Sequence, residues 1–282
     1  MDLTLLGTGC PSVDIDRYGP AALVDGGAAA RLLIDCGSGV TQRLVGAGYR
    51  GSEIDAVLLT HLHSDHIMDL FQLVVSSWHQ GRERPQRVFG PPGTRRYVTG
   101  LQDLWAAELK QRIAHERRPL TGGLEIDVHE IAGGDRLDFG NVSVRVVDVD
   151  HKPVRHAFGF IFEGGGERLA ISGDTTYCPA LIRAAQGVDM LLHEVFIHRE
   201  MPVVEGVRTA ETVANVGAYH TMSDVVGRVA REANVGSLAL THFVPPRFDE
   251  AALLAEVTQE FDGPVIIGHD LMKLHVGGRC VI

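Results

Sequence analysis

Short apolar runs, many of them followed by glycine or a polar residue, recur along the whole chain. Runs of this length bounded by turn-forming residues are typical of β-strands. In the first half they predict strands at 2–6, 21–24, 31–35 and 54–59, with another ending near residue 89. In the second half they predict strands within 124–149 and at 168–172, 188–192, 237–240 and 265–267, with residue 274 closing a sheet.

Apolar residues three or four positions apart predict helices between these strands, at 41–47, 68–78, 101–118, 181–185 and 223–233. In the 101–118 segment, Trp105 and its neighbours are expected to form a lid or a dimer contact. The basic end of this segment either complements the helix dipole or grips a phosphate-bearing substrate. Its cations are Lys110, Arg112, Arg117 and Arg118.

Two strand-rich halves, each accompanied by helices, predict an α/β fold with a four-layer αββα sandwich. Residues at the strand ends would then meet along one edge of it. No low-complexity tract or linker divides the chain, so we interpret 1–282 as one domain.

Composition is that of a globular protein, with 45% apolar and 22% charged residues. No run approaches the roughly 18 apolar residues of a membrane span, and the N-terminus lacks the basic segment of a signal peptide. The four cysteines are widely spaced, so we expect reduced, mostly buried thiols in a cytoplasmic protein. They are Cys10, Cys36, Cys178 and Cys280. The net charge of −10 opposes non-specific binding of nucleic acid.

The densest chemistry lies just after the predicted 54–59 strand, in the segment Thr60-His61-Leu62-His63-Ser64-Asp65-His66. Residues two apart in an extended segment point the same way, so His61 and His63 are expected to emerge together. A turn must then bring Asp65 and His66 to the same space. Three imidazoles and one carboxylate at this spacing predict most of one zinc site and the beginning of a second.

This His-x-His-x-Asp-His pattern resembles the signature of the metallo-β-lactamase superfamily. Three further segments resemble ribonuclease Z and its arylsulfatase-like relatives. They are Leu6-Gly7-Thr8-Gly9, Asp35-Cys36-Gly37 and Gly90-Pro91-Pro92-Gly93. Without the resemblance, the glycines after Asp35 have a structural interpretation, in which they let the backbone pass beneath the metal site.

The resemblance implies three further ligands at the ends of later strands. His151 is the expected histidine ligand before the glycine-aromatic strand, with His156 as its competitor. Asp174 matches the bridging aspartate, and His242 the last histidine. Metal one would take His61, His63 and His151, and metal two would take Asp65, His66 and His242. The implied cofactors are two Zn²⁺ ions, with manganese or iron also compatible with these donors.

The resemblance also implies catalytic roles for Asp65 and for the pair formed by Glu194 and His220. Glu194 would orient His220, which would stabilise the transition state or protonate the leaving oxygen. A hydroxide bridging the two metals would then cleave a phosphodiester or an aryl sulfate ester. The connection between Phe160 and Asp174 is too short for the arm with which ribonuclease Z usually grips transfer RNA. A small ester is therefore the expected substrate, with nucleic acid disfavoured.

Several alternatives stay open at this point. The same metals would serve a hydrolase of lactones, esters or amides, or an endonuclease for the 3′ end of transfer RNA. A flavo-diiron redox enzyme is disfavoured because its first ligands usually include a carboxylate and because it carries a flavin domain. A non-catalytic scaffold is disfavoured because every expected ligand is present. The family makes a homodimer plausible, with the 101–118 helix as one candidate surface.

Overall fold

Two seven-stranded sheets form the centre of the computed structural model, which describes residues 1–27 and 30–278. The first sheet contains β1 (Asp2–Gly7), β2 (Ala21–Asp25), β3 (Arg31–Ile34), β4 (Ala56–Leu58), β5 (Gln86–Gly90), β6 (Ile126–Glu130) and β14 (Lys273–His275). The second contains β7 (Arg136–Phe139), β8 (Val142–Asp148), β9 (Phe158–Gly164), β10 (Glu167–Ile171), β11 (Met190–Phe196), β12 (Leu238–Val244) and β13 (Val265–Ile267). The strand order is β14-β1-β2-β3-β4-β5-β6 in the first sheet and β13-β12-β11-β10-β9-β8-β7 in the second.

Helices cover the outer face of each sheet. Those that follow strands of the first sheet are α1 (Val40–Gly46), α2 (Ser64–Ile67), α3 (Leu70–His79) and α4 (Thr94–Glu116). Those that follow strands of the second are α5 (Pro179–Ala184), α6 (Ala210–Gly217), α7 (Ser223–Glu232) and α8 (Glu250–Val257). The order along the chain therefore confirms an α/β fold.

Three apolar cores fill the spaces between the four layers. The central core joins the inner faces of the two sheets and contains Leu5, Phe160 and Leu192. The other two lie between each sheet and its helices, with Leu44 in one and Val226 in the other. This arrangement confirms the αββα sandwich predicted from the two strand-rich halves. The assignment of 1–282 to one domain stays a prediction.

The two sheets are joined directly along one edge. Phe158 N–H donates to the Thr60 carbonyl, and Phe243 N–H donates to the Thr8 carbonyl, both at 2.9 Å. Strands β3 to β6 run parallel, as do β10 to β13, so their carboxyl ends deliver several loops to the same edge. This edge is where the polar side chains predicted from the sequence meet.

Some elements differ from the prediction. Helix α4 begins at Thr94, seven residues before the predicted start, and only Thr94 and Val98 are buried in it. Leu104 is 74% exposed and Trp105 is 43% exposed, because this part of the helix stands away from the sheet. Helices α6 and α8 were not predicted, although each begins with a capping side chain, Thr209 for α6 and Asp249 for α8.

Other features bear on the expectations from composition. Cys10, Cys36 and Cys178 are free and buried, as predicted, while Cys280 lies outside the described residues. None of the helices in the described part of the chain combines the length and the apolar character that a membrane crossing requires. The homodimer stays a prediction.

Candidate metal centre

The structure brings all seven predicted ligands together at the joined edge of the two sheets. They arrive on the loop after β4, on α2, on the loops after β8 and β10, and on β12. Only His63 among them is partly exposed, and the other six side chains are buried. The seven are His61, His63, Asp65, His66, His151, Asp174 and His242.

The first group consists of His61, His63, His151 and Asp174, with one donor atom of each within 4.8 Å of the others. His151 Nε2 lies 3.3 Å from His63 Nδ1. Asp174 Oδ2 lies 3.8 Å from Nε2 of both His61 and His151. This is the donor set predicted for metal one, together with the predicted bridging carboxylate.

The second group consists of Asp65, His66 and His242, again with donor atoms within 4.8 Å of one another. His66 Nε2 lies 3.2 Å from His242 Nε2. Asp174 Oδ2 reaches this group as well, at 3.3 Å from His66 Nε2 and 3.4 Å from His242 Nε2. The same carboxylate oxygen therefore faces both groups.

A bulge turns His242 toward this cluster. Strands β11 and β12 pair Glu194 with Thr241 and then Val195 with Phe243, so His242 is the extra residue of β12. Its φ of 46° lies in the left-handed region. Bulges re-aim one side chain and are frequent beside functional sites. The predicted strand ended two residues earlier, so the bulge was not foreseen.

Hydrogen bonds at the far nitrogens fix which ring atoms point inward. His151 Nδ1–H donates to the Tyr219 carbonyl at 2.7 Å, and His66 Nδ1 lies 2.8 Å from Asp35 Oδ2. In each ring, Nε2 therefore points toward the cluster. Partners of this kind set the tautomer and orientation of metal-binding histidines.

The inward-facing atoms fit a metal centre. Burial is the main reason that the pKa of His61, His63 and His151 lies below its ordinary value, which favours neutral imidazoles. Neutral Nε2 of His61 is buried and has no hydrogen-bond partner in the described part of the chain. Two ring nitrogens that both present lone pairs repel unless a proton or a metal ion lies between them. Ligands of a tetrahedral zinc with 2.0–2.1 Å bonds are roughly 3.3 Å apart, which matches the closest contacts within both groups.

Asp35 is a member of this network that the sequence interpretation missed. It directly follows β3, the neighbour of β4, and Thr60 N–H donates to its Oδ1 at 2.8 Å. The Thr60 hydroxyl donates to Oδ2 at the same distance. Asp35 therefore holds both His66 and the backbone that precedes His61. The available signal was a carboxylate at the end of a strand parallel to the one that carries the histidines.

Glu194 and His220 meet beside the cluster, as the sequence predicted. His220 Nδ1 lies 3.2 Å from Glu194 Oε1 and 4.0 Å from Asp174 Oδ2. The first contact is an ion-pair distance without the straight alignment of a good hydrogen bond. Thr221 N–H donates to the same Glu194 oxygen at 2.9 Å. Burial opposes the charged imidazole, but the Glu194 carboxylate outweighs it and raises the pKa of His220 to about 9.

His156, the predicted competitor for the ligand role, lies outside the cluster. Its side chain is exposed, whereas His151 is buried. The reason is the short loop after β8, in which the first residue beyond Asp150 enters the site and the following residues pass over its rim. The structure thus brings together the predicted ligand His151 and leaves His156 outside.

The amino-acid sequence is similar to those of known proteins. Residues 1–205 match the sequence profile described as "Anti-Pycsar protein Apyc1". The chain is 37% identical to "Ribonuclease Z" of Mycobacterium bovis (strain BCG / Pasteur 1173P2) over 287 residues, 99% of each chain. It is 36% identical to "Ribonuclease Z" of Mycobacterium marinum (strain ATCC BAA-535 / M) over 287 residues, 99% of this chain and 100% of the relative.

Solved structures share the fold at lower identity. The metallo-β-lactamase fold protein YhfI from Bacillus subtilis has a TM-score of 0.75 and 22% identity, covering 97% of this chain and 99% of that one. The short form of human tRNase Z has a TM-score of 0.69 and 20% identity, covering 98% and 99%.

Proposed function

We propose that this chain, which belongs to the Apyc1 family, cleaves phosphodiester bonds in RNA. Together with its ribonuclease Z relatives, it is one of the hydrolases of the metallo-β-lactamase fold. The observation that carries this proposal is the position of the Glu194–His220 pair beside Asp174. A phosphodiester needs charge neutralisation at the phosphate and a group that meets the leaving oxygen. The cluster and the pair offer both in one place.

Two metal ions, which we propose to be zinc, would neutralise the scissile phosphate and activate the attacking water. His61, His63 and His151 would hold one ion, and Asp65, His66 and His242 the other, with Asp174 contacting both. The donor atoms are imidazole nitrogens and carboxylate oxygens, a mixture that suits zinc and is also compatible with manganese or iron.

We propose that the Glu194 carboxylate, 3.2 Å from His220 Nδ1, orients this ring so that Nε2 faces the substrate. We propose that His220 carries a proton at Nε2 and delivers it to the leaving oxygen. Glu194 is itself held by Thr221 N–H at 2.9 Å, so its carboxylate is fixed before substrate arrives.

The missing arm does not argue against RNA as strongly as the sequence alone suggested. Strands β9 and β10 are joined by a bare hairpin at Gly165 and Gly166, as predicted. However, the alignment with the Mycobacterium bovis ribonuclease Z spans 287 positions and 99% of both chains. A long arm is therefore missing from that relative as well. We accordingly prefer RNA, including the 3′ end of transfer RNA, over an aryl sulfate ester.

A small phosphodiester is the second candidate. The observation that favours it is the net charge of −10, which weakens attraction to a long polyanion. A lactone or amide has no comparable observation in its favour.

The test compares a precursor transfer RNA carrying a 3′ trailer with bis(p-nitrophenyl) phosphate, using protein loaded with zinc and assayed for bound metal. Cleavage of the trailer supports the proposal. Turnover of the small diester alone, with about two metals per chain, supports the second candidate. Two bound metals without turnover of either substrate would contradict both.

A further inference from the structure

A groove of about 190 Å³ opens beside His63 on the rim of the metal centre. One wall consists of Leu62, Pro91 and Pro92. The other is the loop after His151, with Val154, Arg155 and His156. The groove therefore begins at a predicted metal ligand and leads away from it between an apolar surface and a basic loop.

Backbone hydrogen bonds hold one wall in place, and close packing holds the other. Val154 N–H donates to the His151 carbonyl at 2.9 Å, and Val149 N–H donates to the Ala157 carbonyl at 3.0 Å. The loop that carries Arg155 is thus closed at both ends. On the opposite wall, a Cβ at Gly93 would lie 3.2 Å from Leu62 Cδ1, so the Gly-Pro-Pro-Gly turn packs closely on the histidine motif.

The charge on this loop contrasts with the acidity of the chain. Arg155 and His156 are exposed, and Lys152 pairs with Asp150 at 3.3 Å. Within residues 1–27 and 30–278, Arg155 forms no ion pair, so its guanidinium is available to a ligand. Guanidinium groups bind phosphate oxygens in a planar, two-point geometry that an ammonium group does not match.

We infer that this groove is a subsite for the nucleotide that flanks the scissile phosphate on the His63 side. The inference rests on the proposed function. Pro91, Pro92 and Val154 contact the base or the ribose, and Arg155 binds the next phosphate along the strand. The volume is below the 300–1,000 Å³ of typical small-molecule pockets, so the groove takes the base or the ribose of one nucleotide and leaves its phosphate at the solvent edge.

The test compares Arg155→Ala with wild type on two substrates, an RNA pentanucleotide and bis(p-nitrophenyl) phosphate. Only the RNA has a second phosphate. Loss of a charged hydrogen bond is expected to lower kcat/KM for the RNA about tenfold or more. The rate on the small diester should stay within about twofold of wild type, because this substrate has no second phosphate for Arg155 to bind. Arg155→Lys should restore part of the loss, since the charge is kept.

Arg50→Ala is the matched control. Arg50 is exposed, forms no ion pair among the described residues and precedes β4 at the end opposite to His61. It should leave both rates unchanged. If Arg155→Ala also leaves the RNA rate unchanged, or lowers both rates equally, the subsite assignment is wrong.

A binding measurement separates this inference from the proposed function. A fluorescent pentanucleotide with methylenephosphonate linkages keeps its negative charge but resists cleavage, and its affinity can be followed by anisotropy at several salt concentrations. Removing one phosphate contact should reduce the slope of log K against log salt by roughly 0.7. If wild type binds this analogue with that dependence on Arg155 but does not cut RNA, the subsite stands and the proposed function fails. If it neither cuts RNA nor binds the analogue, both fail.

Discussion

Asp35 Oδ2 lies 2.8 Å from His66 Nδ1, although 31 positions separate the two residues in the chain. The contact exists because β3 and β4 are parallel neighbours and both end at the metal centre. Asp35 has a φ of 58°, in the left-handed region, which turns its side chain back toward Thr60 and His66. A carboxylate at this place polarises the ring and presents Nε2 to the cluster.

We therefore expect Asp35→Asn to weaken metal binding by about 10- to 100-fold, the usual effect of losing such a partner. The amide can still accept from Thr60, so the fold is expected to persist. Zinc affinity measured by competition with a chromophoric chelator tests this prediction. Asp25→Asn is the control, because Asp25 lies at the other end of the strands and contacts Arg31 and Tyr49. Equal zinc affinity in Asp35→Asn and wild type would contradict the assignment.

A second prediction separates the Glu194–His220 pair from the ligands. His220→Ala is expected to lower kcat by about 10²- to 10⁴-fold, the range for loss of a proton donor, while both metals stay bound. Asp174→Ala is expected to lose metal, because one Asp174 oxygen faces both groups. Metal analysis and turnover are measured on the same samples. Full activity of His220→Ala on every phosphodiester tested would show that the role given to the pair is wrong.

The histidine-rich segment after an apolar run located His61, His63, Asp65 and His66, and the family resemblance located His151, Asp174 and His242. The structure brings all seven side chains together, because each segment follows or ends a strand. A strand end is visible in a pattern of apolar and polar residues, and parallel strands bring such ends to one edge. The role of Asp35 was missed, since a carboxylate at a strand end indicates a contact with His66 only once β3 and β4 are known to be neighbours. The turn of His242 into the site was not visible either, because a bulge is a property of two paired strands.

For helix α4, the sequence predicted the element but not what surrounds it. The spacing of Leu101, Leu104 and Trp105 predicted a helix correctly, but spacing alone does not say what covers its apolar side. Leu104 is 74% exposed, and Trp105 packs on Phe71 with ring centroids 5.5 Å apart. Helix α4 starts at Thr94, directly after the Gly-Pro-Pro-Gly turn, and its first turns fall outside the range predicted from apolar spacing because only Tyr97 and Val98 are apolar between residues 94 and 100.

A third prediction concerns the glycine before the bridging aspartate. Gly173 has a φ of 59°, and a Cβ there would lie 2.4 Å from the Phe158 carbonyl oxygen. Gly173→Ala must therefore displace the loop that carries Asp174. We expect a loss of roughly 1–3 kcal/mol of unfolding free energy, the cost of strained backbone, together with reduced metal content. Gly134→Ala is the control, because it shares a positive φ of 93° but has open space around its Cβ. A similar loss of metal in both variants would contradict the argument.

The last prediction is that metal binding supports the fold and not only the chemistry. Buried histidine nitrogens face one another at 3.2 Å between His66 and His242 and at 3.3 Å between His63 and His151. The folded chain holds these nitrogens at the spacing of metal ligands and the unfolded chain does not, so the folded state gains more from metal than the unfolded chain does. A ligand at 100 times its Kd adds about 2.7 kcal/mol, which corresponds to roughly 5–10 °C in Tm for a chain of this size.

Calorimetry or thermal fluorescence with and without EDTA measures this shift, and added zinc should reverse it. Asp174→Ala provides the control, since a variant that has lost its metals should show little further change with EDTA. A wild-type Tm that does not respond to EDTA, in a sample from which metal analysis confirms removal, would mean that the clustered nitrogens are stabilised by protons. In that case His66, whose pKa is raised well above its ordinary value because Asp174 and Asp35 outweigh the effect of burial, would be the proton carrier to examine.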